Sequence, residues 1–79
     1  MRKLKLIWDF RGPDASITAQ HHEIHLKAYI EAKNMSGIIT GKEDLDIAHA
    51  IAFLVVDEDK MKPLRDTLKP HRGQVYTKS

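Results

Sequence analysis

The run from Asp46 to Val56 constrains this chain more than any other stretch. Read at the two-residue period of a strand, it puts Ala48, Ala50, Ala52, Leu54 and Val56 on one side and Ile47, His49, Ile51, Phe53 and Val55 on the other. Both rows are largely apolar, so the strand has to be covered on both faces. A chain of 79 residues makes one domain, spanning residues 1–79, whose own core is small. One layer of helices cannot cover both faces of a sheet. The expectation is that a second copy of the chain covers the other face.

The rest of the chain supplies neighbours for that strand. Residues 3 to 10 alternate, with Leu4, Leu6, Trp8 and Phe10 on one side and Lys3, Lys5, Ile7 and Asp9 on the other. Arg11-Gly12-Pro13-Asp14 breaks this first strand, with Pro13 suited to the first helical position and Asp14 to the cap or first turn. A helix is expected to about Lys33, with Asn34 as a left-handed terminator. Met35 to Thr40 reads as a short second strand punctuated by Gly37 and Gly41, and Gly41-Lys42-Glu43-Asp44 as a polar turn. After the third strand, Asp57-Glu58-Asp59 favours a second helix with the stripe Met61, Leu64 and Leu68. Pro63 fits only a first turn, which places the start near Asp59 or Lys60, and Pro70 ends the helix. His71 to Thr77 makes a last strand at an edge.

Chemistry concentrates in the first helix. Three of the five histidines fall in His21-His22-Glu23-Ile24-His25. At about 100° per residue, Ile17, Ile24, Ala28 and Ala32 lie on one flank and Ala19, Leu26 and Ile30 on the other, so all three histidines are expected inside the apolar arc. His21 and His25 are four apart and His22 and His25 three apart, so either pair can share a face. Such imidazoles bind a metal, tune one another's pKa, or bond to carboxylates and waters. The order is not the zincin His-Glu-x-x-His, because Glu23 follows the second histidine rather than the first. With no cysteine, disulfides and thiolate metal sites are excluded. The identity of any metal or cofactor is left open.

Charge excludes little else. Thirteen basic and eleven acidic side chains give a formal net charge of +2, too balanced to imply nucleic acid. Lys62, Arg65, Lys69, His71 and Arg72 gather near the end of the chain, and Arg2, Lys3 and Lys5 at its start; they read as a solvated basic edge, with contact to an anionic ligand or phosphate backbone as the alternative. RNA binding through an open sheet is disfavoured, since that mode wants exposed aromatics on the central strands and the third strand offers only Phe53. Met1-Arg2-Lys3-Leu4-Lys5-Leu6-Ile7-Trp8 carries an apolar run too short for a signal peptide or a membrane span. The simplest inference is a cytoplasmic protein that does not enter a membrane.

The order β-α-β-β-α-β at this length resembles the ferredoxin-like plait: an α+β fold in which a four-stranded antiparallel sheet carries two helices on one face. Covering the open face with a second subunit would make it similar to the dimeric α/β-barrel proteins built on that plait. Gly12-Pro13-Asp14-Ala15, followed by His21-His22-Glu23-Ile24-His25-Leu26-Lys27-Ala28-Tyr29-Ile30, looks like the opening of YCII-related domains over about the first third of the chain. That resemblance implies a small dimeric protein with a helical histidine, matched here by His25 ahead of Leu26. The family pairs its histidine with an Asp in an Asp-Pro segment after the second helix. Here that segment reads Leu68-Lys69-Pro70-His71, without an Asp, so the pair does not carry over.

Two functions of different class follow. The first is a homodimer, paired through the open sheet face, that binds a small ligand or partner through the His-rich helix, with His22, Arg11 and His49 as ligand-binding residues. The second is an enzyme in which His25 or His21 acts as general acid or base on a small organic substrate, with Asp9 or Arg11 orienting it. With the first and third strands taken as parallel, Asp9 and His49 are expected at opposite ends of the sheet. Trp8 is expected in the core.

Overall fold

A computed structural model describes residues 2–76. It contains β1 (Lys3–Arg11), α1 (Ala15–Ala32), β2 (Ile39–Asp46), β3 (His49–Asp57), α2 (Glu58–Leu68) and β4 (Arg72–Tyr76). The strands form one antiparallel sheet in the order β2-β3-β1-β4, the ferredoxin-like plait, with β3 and β1 at its centre. One face carries both helices. Its core is Leu6 and Trp8 from β1, Ala52, Leu54 and Val56 from β3, Leu26 from α1 and Leu64 from α2. Ala15, Ala19 and Ala50 make a second small cluster where the start of α1 lies close against the sheet. The alanines at that end of β3 let the helix approach, and the larger Leu54 and Val56 fill the space further along.

The opposite face carries no helix, yet its central apolar residues are covered, while Ile39 on the edge strand β2 stays half exposed. Ile7, Ile51 and Val55 are only 1–3 % exposed. Long side chains lying flat on the sheet provide the cover. The Phe53 ring lies across Gly41 of β2, where a Cβ would overlap it, and the Lys5 ammonium sits 4.3 Å from the centroid of that ring. Gly41 is therefore a seat for an aromatic ring, not punctuation. The apolarity of both sides of β3 is satisfied largely within one chain.

Several boundaries differ from the sequence expectation. The segment Gly41–Asp44 is not a turn but the middle of β2, and the turn falls instead around Ile47 and Ala48. β2 is a charged edge strand, and charge at an edge strand has the same composition as a polar turn. Lys42 holds it to the start of α1, donating to Ser16 Oγ (2.7 Å) and to Asp44 Oδ2 (3.1 Å). α1 begins after Asp14, so Pro13 precedes the cap instead of opening the helix. α2 begins at Glu58, ahead of Asp59, and Pro63 lies inside it. The expected last strand reached Thr77, which lies outside the described residues.

The end of α1 follows the expectation closely. Asn34 has φ 52°, the Asn34 N–H donates to the Glu31 carbonyl and the Met35 N–H to the Ile30 carbonyl, each at 3.1 Å. This is the Schellman pattern, and it satisfies carbonyls that the last turn would otherwise leave open. Gly12, at φ 113°, makes the turn from β1 into α1, and its N–H donates to the Ala48 carbonyl at 2.9 Å. Only glycine adopts that conformation without strain.

Candidate functional site

Two polar clusters meet at the end of β1, one on each face of the sheet, and Asp9 belongs to both. In a plait of this order β1 and β2 run the same way and the β2–β3 hairpin reverses the chain, so β3 runs antiparallel to β1. The ladder pairs Arg11 with His49 and Asp9 with Ile51. Asp9 and His49 are therefore diagonal neighbours on one face, not residues at opposite ends of the sheet. His49 Nε2 lies 2.9 Å from Asp9 Oδ1. From β4, Arg72 Nε donates to Asp9 Oδ2 at 2.9 Å and Nη2 to Oδ1 at 3.1 Å, a two-pronged clamp. The guanidinium of Arg72, with help from His49, holds the Asp9 carboxyl down to about 2 against the opposing effect of burial. Since Asp9 is ionised, His49 Nε2 must carry the hydrogen. Arg11 is exposed on this same face, in register with His49.

The second cluster lies on the helix-covered face. α1 packs through Ala15, Ala19, His22 and Leu26, with Tyr29 and Ile30 half-buried, while Ile17 and Ile24 stand exposed. This phase divides the histidine cluster. His22 faces inward, but His21 and His25 face solvent rather than sharing the apolar arc. The phase differs from the expectation because the apolar residues of α1 are spread around its circumference. His22 packs against Trp8 with ring centroids 4.9 Å apart and against Phe10 at 5.5 Å. Its Nε2 is buried and has no hydrogen-bond partner among the described residues. Burial, reinforced by His25 and His71, pushes the His22 pKa below the usual imidazole value.

His71 completes this cluster, although the basic composition around it is that of a solvated edge. β4 pairs with β1 only from Lys3 to Ile7, which leaves the Asp9 N–H beyond the ladder. His71 extends it: its own N–H donates to the Ile7 carbonyl and its Nδ1 accepts the Asp9 N–H, both at 2.9 Å. The ring also lies 6.3 Å from Phe10, centroid to centroid. Trp8 is core, as expected, and its indole N–H is taken by the Leu68 carbonyl at 3.1 Å. The signal that would have found His71 and Arg72 is strand direction. Antiparallel pairing brings the start of β4 to the end of β1, beside Asp9.

The sequence candidates are thus sorted. Asp9 and His49 are brought together, Arg11 stands near them, and His22 is alone among the α1 histidines in facing the sheet. Asp9 is engaged by His49 and Arg72 and contacts neither His21 nor His25. Among the described residues, no group of three or more His, Cys, Asp or Glu side chains is placed to hold a metal ion. A separate cavity of about 400 Å³ lies between α2 and β4, with Leu4, Leu6, Met61 and Val75 as apolar lining and Arg65 among its polar groups, but no histidine lines it. No helix among the described residues is long and apolar enough to cross a membrane.

Fold and site together define a ferredoxin-like α+β domain with an imidazole between α1 and the sheet whose Nε2 has no hydrogen-bond partner among the described residues. Comparison with family models, curated proteins and solved structures finds no match for this chain.

Proposed function

We propose that the protein is a small homodimer that binds a small ligand or partner beside the inner face of α1, with His22 as its central polar contact. One observation carries this reading: His22 Nε2 is buried beside Trp8 and Phe10 without a hydrogen-bond partner among the described residues. A buried polar atom left unmade costs about 1–3 kcal/mol, and such atoms are rare in folded proteins without a compensating role. A ligand atom bonded to His22 removes that cost on binding. Dimerisation through the open face is supported by its charge pairing. Asp9 is paired with Arg72 and His49, and Lys3 donates to Asp57 Oδ1 at 3.0 Å, so these groups enter an interface already partnered.

The test is a fragment screen followed by amide and imidazole NMR on the intact protein, with sedimentation to measure its mass in solution. The reading expects hits whose shifts centre on Trp8, Phe10, His22 and His71, lost in His22→Leu, and a dimer mass. Hits confined to the α2–β4 cavity, unaffected by His22→Leu, overturn the site. A monomer at all concentrations overturns the dimer.

A second reading, acid–base catalysis by a helix-1 histidine, has one observation in its favour. Burial keeps His22 neutral near pH 7, the form required of a general base. On this reading the catalytic histidine is His22, since His21 and His25 face solvent and His22 alone of the three faces the sheet.

A further inference from the structure

The two helices share one face of the sheet, but α2 packs over β1 and β3 rather than over the edge strand β4. Gly73 and Val75 of β4 pair with Leu6 and Leu4 of β1 and share their face. Val75 accordingly stays 48 % exposed, although it lies on the side that carries the core. The space left between α2 and β4 is the cavity of about 400 Å³. That volume falls within the range of small-molecule sites, about 300–1,000 Å³.

We propose that this cavity binds a medium-chain aliphatic carboxylate, with its tail against Leu4, Leu6, Met61 and Val75 and its head group on Arg65. The position is separate from His22, so the assignment goes beyond the reading above and does not depend on it. The walls specify the tail. All four are aliphatic or thioether side chains, and no aromatic ring is among the described lining residues. The flexible thioether of Met61 adapts to an alkyl chain in a way that a branched side chain does not. Charge specifies the head group. Arg65 and Arg72 border the cavity and, among the described residues, no carboxylate does. The Arg72 guanidinium is committed to Asp9, at 2.9 and 3.1 Å. Arg65 has a looser ion pair, Nε to Asp66 Oδ1 at 3.5 Å, in which both side chains are at least half-exposed. So exposed a pair contributes little, and a carboxylate can take the guanidinium fork. Gly73 keeps the cavity open on the β4 side. A Cβ there would stand 3.6 Å from Leu6 Cδ2, an ordinary contact, so a larger side chain suits the strand and fills the cavity.

Sodium octanoate is the probe, used below its micelle-forming concentration at constant ionic strength, with hexanoate and octanamide beside it. Methyl and amide NMR spectra of the intact protein are followed by titration. Octanoate is expected to give saturable shifts at Leu4, Leu6, Met61 and Val75 and at the Arg65 Nε–H, with His22 unmoved. Hexanoate, with its shorter tail, is expected to bind about tenfold more weakly. Arg65→Gln is expected to weaken octanoate by about tenfold and to leave octanamide unchanged. Gly73→Leu, whose amide spectrum checks that it folds, is expected to abolish binding. Octanamide binding as tightly as octanoate overturns the carboxylate assignment, and hexanoate binding as tightly overturns the placement of the tail. Octanoate shifts that do not saturate, that persist in a folded Gly73→Leu chain, or that are absent altogether overturn the proposal. None of these outcomes decides the His22 reading, which is tested by its own screen.

Discussion

His49 and His22 lie on opposite faces of the same sheet, near the same end of β1, and their surroundings differ in kind. His49 donates to Asp9, whose carboxylate is gripped again by Arg72, so charge and hydrogen bonds close on one another within the chain. His22 is packed among aromatic rings and its Nε2 bonds to nothing among the described residues. A polar side chain that has found its partners holds a fold together; one that is buried without them weakens it. Asp9 joins the two environments, carboxylate on one face and backbone N–H to His71 on the other.

The comparison predicts opposite responses to substitution. The largest effect is expected from Asp9→Ala, which strips Arg72 and His49 of their common acceptor. A loss of about 2–4 kcal/mol in urea unfolding is expected, in the range seen when one member of a partly buried charged network is removed. An Asp9→Ala chain as stable as the parent breaks the comparison at its stronger end. Gly41→Ala tests the packing that shields the open face, since the new methyl overlaps the Phe53 ring. An expected cost of about 1–3 kcal/mol, with altered Phe53 ring shifts in the NMR spectrum, would show that the ring is seated there.

Acid sharpens the contrast without mutation. Asp9 has its pKa lowered on folding, from 3.8 to about 2, so its contribution is fully present above pH 3.8 and is lost as pH falls from there toward 2. The His22 pKa is also lowered, from 6.5. The unfolded chain then binds the proton more readily, and stability declines as pH falls below 6.5 toward the folded-state value. Urea unfolding from pH 7.5 to 2 should show two separate declines. Removing His22 should abolish the upper decline, and removing Asp9 should diminish the lower, to which Asp44 and Asp57, also held below the usual carboxylate range by Lys42 and Lys3, contribute. A smaller effect is expected at Ile24, whose side chain is exposed despite its apolar character. Ile24→Gln should change stability by no more than about 0.5 kcal/mol, measured in the same way.

Much of the fold was legible because alternation is local. The two rows of β3, the Trp8 row of β1 and the Asn34 terminator are each read from a few neighbouring residues. β2 was misplaced because Lys42, Glu43 and Asp44 serve an edge strand whose charges reach α1 and solvent, and local composition cannot distinguish that from a turn. The site was less legible because it depends on strand direction and helix phase. Asp9, His49, His71 and Arg72 are scattered over the sequence and meet only through antiparallel pairing on both sides of β1. His22 was singled out with its neighbours, but their opposite orientations follow from which alanines α1 buries.

The most direct test of the central claim is the unfolding free energy of His22→Leu at pH 7.5, measured in urea beside the parent chain. The account predicts a variant as stable as the parent or more stable by about 1–2 kcal/mol, because an unpartnered buried nitrogen is replaced by hydrocarbon of similar size. A loss of more than about 1 kcal/mol would contradict it, showing that His22, like His49, is held by interactions that stabilise the fold.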